Sequence, residues 1–133
     1  MYKRQVQVER DRIAAYAASL PLERIVCPAL DPATHYLGHG DDTAAFLLTL
    51  DAINFGSGYF PRLKKRPGMS GYFTVAASLN DHYRAHGPFS AEELTALTAG
   101  DCARIFGQEL ADPAIAELMA RFATALGDLG RFL

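Results

Sequence analysis

Asp51 and Asn54 stand three residues apart in the run Phe46-Leu47-Leu48-Thr49-Leu50-Asp51-Ala52-Ile53-Asn54-Phe55. At helical spacing the two side chains share a face. The run is apolar nearly all round, which predicts a helix buried at the centre of its fold. Burying even a neutral polar group without a partner costs about 2–7 kcal/mol. A buried Asp–Asn pair would therefore be kept for a reason. One reading is a ligand-binding or catalytic face. The other is a structural network, with Asp51 bonded to backbone N–H groups of a loop or paired with a loop arginine.

Four histidines are the next candidates. His82 and His86 lie four apart on a helical segment, a spacing that lets two imidazoles share a metal. A third ligand would be needed and no second motif supplies one, so no metal site is expected. His35 and His39 lie in a glycine-rich loop, where ligand contacts are common. In Phe55-Gly56-Ser57-Gly58-Tyr59-Phe60 the glycines permit close approach to the backbone and the aromatics can stack on a planar ring. The plain alternative is a helix-ending turn with core aromatics. No Gly-Lys-Ser follows, and a helix precedes the segment, so it is neither a phosphate loop nor a dinucleotide fingerprint. The basic run Arg62-Leu63-Lys64-Lys65-Arg66 can meet a phosphate or simply face water.

The elements that must position these groups read as helices. Val6 to Leu20 is amphipathic, with Val6, Ile13, Tyr16, Ala17 and Leu20 near one face. A short turn, Leu22 to Val26, and a loop from Cys27 to Gly40 follow. Asp41-Asp42-Thr43 offers cap oxygens to the apolar helix, and Ser70 caps a helix through Tyr72, Val75, Ala76, Leu79 and Tyr83 that ends at Gly87-Pro88. Ser90-Ala91-Glu92-Glu93 is a capping box, and Asp101 is expected to cap a further turn or two. Asp112-Pro113 opens a last helix with the stripe Ile115, Leu118, Met119, Phe122, Leu126 and Leu129. No alternating strand pattern competes with these. The expected fold class is mostly α, one helical domain over residues 1–133.

The chain has 133 residues, half of them hydrophobic, and a net charge of −2 with mixed signs. That is enough to bury a core. It implies no field that would grip a nucleic-acid backbone. Cys27 and Cys102 fit no metal or redox spacing, which points to a reduced compartment. The polar start and the absence of an apolar run near ~20 residues predict a cytoplasmic protein with no membrane partner. Phe132 and Leu133 after the apolar stripe lead to the expectation that a C-terminal portion, or another copy through 113–133, packs there.

Taken together, the run Phe46 to Phe55, then Ser70-Gly71-Tyr72-Phe73, then Ala77-Ser78-Leu79-Asn80 resemble the queuosine salvage protein family, the queuosine 5′-phosphate N-glycosylases. Gly56 to Pro61 and Lys65-Arg66-Pro67-Gly68 are similar to its bacterial branch. The resemblance covers about residues 31 to 110, with the last helix matching loosely. It implies the N-terminal part of a helical fold like that of DNA glycosylases. It implies hydrolysis of the N-glycosidic bond of queuosine 5′-phosphate, releasing queuine for tRNA modification, with no cofactor and no direct nucleic-acid partner. The family's catalytic Asp belongs to a C-terminal F-x-D-Y-R-like motif that nothing in this chain matches, so no catalytic residue is assigned. His35, Asn54, Phe55, Ser57 and Tyr72 are the substrate-binding residues the resemblance suggests, with Asp51 supporting them. The alternatives are a module that holds queuine or a nucleotide without cleaving it, and a structural fragment completed by another chain.

Overall fold

The computed structural model describes residues 10–24 and 29–133. Six α-helices follow in order: α1 (Arg10–Ala18), α2 (Asp42–Ala52), α3 (Gly71–His86), α4 (Ala91–Ala96), α5 (Ala99–Ile105) and α6 (Pro113–Phe132). Two short 3₁₀ helices, Leu22–Arg24 and Phe60–Arg62, lie in the connections. The described residues contain no strand, and the mostly α reading holds. No helix among them is long and apolar enough to cross a membrane.

The helix starts follow local chemistry. Ser70 accepts the Phe73 N–H, and Ser90 with Glu93 forms the expected reciprocal box. Asp112 accepts the Ala114 N–H, with Pro113 in the first helical position. Two caps differ from expectation. Asp41 makes no side-chain cap bond, and Thr43 Oγ1 instead accepts the Gly38 N–H at 3.0 Å. Thr98, not Asp101, caps α5; Asp101 sits three residues in and accepts the Thr98 N–H. Thr98 has the extended backbone an N-cap needs, whereas Asp101 already lies inside the helix and closes the reciprocal box.

The last helix organises the core. α6 packs on α4, α5 and α2, and α3 packs on α2 and α5. Ile115, Leu118, Met119, Phe122 and Leu126 are buried as the stripe foretold. Each such side chain contributes roughly 1.5–3 kcal/mol. Gly130 lets α6 close on α4: a Cβ there would stand 2.6 Å from the Ala91 carbonyl oxygen. Phe132 and Leu133 remain exposed.

Two expectations require correction. α2 is not buried all round: Phe46, Thr49 and Leu50 face the core, whereas Leu48 and Asp51 are exposed. Among the described helices it packs on α3 and α6. α1 buries none of its residues, and Ile13 and Tyr16 are largely exposed. Val6, Ile25, Val26 and Cys27 lie outside the described residues.

Gly71, in the Ser70-Gly71-Tyr72 segment, has a steric role. A Cβ there would meet Phe60 Cγ at 2.5 Å and Phe60 Cβ at 2.6 Å, the rigid root of a ring. Gly71→Ala is expected to destabilise the protein by about 1–3 kcal/mol in urea unfolding. Gly100→Ala, whose nearest obstacle is Thr98 Oγ1 at 3.6 Å, should leave stability unchanged or raise it by up to about 1 kcal/mol. Equal stability of Gly71→Ala and the native protein would contradict this packing.

Candidate ligand-binding face

The outward stripe of α2 carries Ala44, Leu48 and Asp51, one turn apart, all exposed. Asn54 follows beyond the end of the helix, its N–H on the Asp51 carbonyl at 3.1 Å. The first turn of α3 brings Tyr72 to the same face. Burial raises the Tyr72 phenol above its ordinary pKa, and the nearby charge of Asp51 raises it further. Tyr72 meets Phe73 edge to face, with centroids 5.3 Å apart. Leu48 and Phe73 are 54 % and 44 % exposed, so the polar pair has apolar surface to either side.

This geometry revises the reading of Asp51. Its carboxylate is in water, so no desolvation cost demands a buried partner. Its charge instead acts on Tyr72, so two separate sequence motifs are brought near each other. A protonated phenol can donate a hydrogen bond, a carboxylate can accept one, and an amide such as that of Asn54 does both. Together these suit the edge of a planar heterocycle, with Phe73 and Leu48 offering contact area.

The other candidates are placed differently. Asn54 and Ser57 are exposed at the end of α2 and in the turn after it. Phe55 turns to α6, where its ring stands edge to face on Phe122 at 5.3 Å and borders a shallow groove on that helix. It is therefore not part of the Asp51–Tyr72 pair. His35 is half-buried: Nδ1 lies 3.0 Å from Thr34 Oγ1, and the ring meets Phe46 edge to face. Phe46 is roughly one and a half turns before Asp51, so His35 flanks the other end of α2.

Buried side chains that hold the loops were less visible in the sequence. Asn80 donates to the Pro32 carbonyl and accepts from Arg84, which donates to the same carbonyl at 2.8 Å. This clasp ties the His35 loop to α3. Gln108 receives the Lys64 N–H and donates to the Lys64 carbonyl, fixing the basic loop. Within that loop Arg62, Lys64 and Arg66 pair with Asp112, Glu109 and Asp81. Asn80 lies in the segment Ala77-Ser78-Leu79-Asn80, whereas Gln108 carries no local signal.

No group of three or more His, Cys, Asp or Glu residues converges on a metal-sized space among the described residues. Cys102 is buried, and desolvation first, with Asp101 second, pushes its thiol up to about 12. It stays protonated at neutral pH and is a poor nucleophile.

Comparison with known proteins finds no family model, no curated protein and no solved structure that matches the chain. The queuosine salvage resemblance therefore rests on the motifs themselves.

Removing the Asp51 charge tests the proximity at the centre of this face. Asp51→Asn is expected to shift Tyr72 ionisation to lower pH, read by NMR of the Tyr72 ring. The value should remain above that of a free tyrosine, because burial is the larger cause. An unchanged Tyr72 titration would separate the two residues.

Proposed function

We propose that this chain supplies the base-side wall of a queuosine 5′-phosphate N-glycosylase pocket and does not cleave the substrate by itself. The observation that carries the reading is the exposed Asp51 carboxylate lying near enough to the partly buried Tyr72 to raise its phenol. Both stand on the segments that resemble the salvage family. In this reading Tyr72, Asp51 and Asn54 read the edge of the deazaguanine base, and Phe73 and Leu48 flank its plane. Ser57 lies in a glycine turn where the backbone leaves room for the sugar, and His35 is a more distant contact from the far end of α2.

The same exposure argues against catalysis by this face alone. Trapping an oxocarbenium-like sugar needs a carboxylate held in a dry, preorganised site. Asp51 is wet, and its role here is to hold and orient. The non-cleaving alternative, a module that only holds queuine or a nucleotide, is favoured by that openness.

Incubating the chain with queuosine 5′-phosphate should give binding heat in calorimetry with no release of queuine. Tyr72→Ala should weaken binding about tenfold, equivalent to about 1.4 kcal/mol. Rapid queuine release would show that a nucleophile is present after all. Absence of heat and of any melting shift at about 1 mM ligand would remove the binding role.

A further inference from the structure

A groove of about 690 Å³ lies between α3 and the α4–α5 pair, and neither Asp51, Asn54, Phe55, Ser57 nor Tyr72 lines it. Its volume is in the range of small-molecule sites, roughly 300–1,000 Å³. Phe89, Leu97 and Ile105 give it apolar walls. His82 stacks on Phe89, with centroids 4.4 Å apart and planes 14° from parallel. His86 stands one turn on, its ring 4.8 Å from that of His82. Neither imidazole is used in a hydrogen bond among the described residues.

Two guanidiniums also line it. Arg66 and Arg104 line the groove and also an adjoining cleft of about 390 Å³, which adds Lys64 and Lys65. Three carboxylates line the groove as well, and each is engaged. Glu93 takes the Ser90 N–H at 2.7 Å, Asp101 takes the Thr98 N–H at 2.9 Å, and Asp81 pairs with Arg66 at 2.8 Å. Arg104 meets Asp101 through one terminal nitrogen, as Arg66 meets Asp81. A guanidinium has five N–H donors, so both arginines keep donors for an incoming anion. Within the groove two guanidiniums stand among three carboxylates that already hold helix caps or a guanidinium, while Lys64, paired with Glu109, and Lys65 line only the adjoining cleft.

We propose that this groove binds a small aromatic anion, with its flat ring along His82 and Phe89 and its phosphate or carboxylate on Arg66 and Arg104. The site is independent of the Asp51–Tyr72 face and stands or falls separately from it. The imidazoles supply ring-edge contacts. Burial first, and the neighbouring His86 second, lower the pKa of His82, so it is neutral near pH 7 and offers both a donor and an acceptor.

The test is an amide NMR titration of the full chain with adenosine 5′-monophosphate and, separately, indole-3-acetate. At least one should give saturable shifts clustered in 82–89 and 96–105, with a dissociation constant below about 1 mM. Binding by the first alone assigns the anion as phosphate; binding by the second alone assigns carboxylate. The parent molecule without the anionic group, adenosine or 3-methylindole, should bind at least about fivefold more weakly. Arg104→Gln, at an exposed side chain, should weaken the bound anion about tenfold without changing the fold. The proposal is overturned if neither anion gives saturable groove shifts by about 10 mM. It is also overturned if the neutral parents bind as well as the anions, or if Arg104→Gln changes nothing.

Discussion

The hydroxyls of Thr49 and Tyr83 meet 2.7 Å apart inside the core, and that pair decides how α2 lies on α3. Thr49 also donates to the Ala45 carbonyl at 2.8 Å, and Tyr83 reaches the same oxygen at 3.3 Å. Leaving such groups buried and unpaired would cost about 1–3 kcal/mol each, so rotating α2 away from this register is penalised. With Thr49 turned inward beside Phe46 and Leu50, the stripe Ala44, Leu48 and Asp51 must face outward. The exposed face is thus a consequence of a buried polar contact on the opposite side of the same helix.

Other contacts carry that register into the loops. Phe60 lies over Gly71, which seats the first turn of α3 and therefore Tyr72. Asn80 and Arg84 hold the Pro32 carbonyl, and Gln108 grips both backbone groups of Lys64. Buried amides suit this work, because one side chain can satisfy a donor and an acceptor of an irregular segment at once. The two flanks of α3 consequently differ in character. One presents Tyr72 and Asp51 on an open face; the other opens into a walled groove lined by imidazoles and guanidiniums.

Much of the fold was legible because it is written locally. The stripe on α6 repeats at helical spacing over several turns, and the Ser70 and Ser90 caps depend only on neighbours in sequence. The burial of α2 was misread because composition says how apolar a helix is, not how many sides have partners. Asp51 carries no desolvation cost, yet its charge does reach Tyr72. Phe55 shares a motif with Asp51 but packs on Phe122, a contact with α6 that no local pattern encodes. Gln108 and the groove between α3 and α5 were invisible for the same reason: both depend on chain segments that meet only after folding.

The central claim is that the outward face of α2 and the first turn of α3 form one ligand surface. The most direct measurement is an amide NMR map of the chain as free queuine is added. Shifts are expected at residues 48–55 and at Tyr72 and Phe73, with Leu97 to Ile105 unmoved. Shifts confined to the groove beyond α3, or none at saturating queuine, would contradict the account.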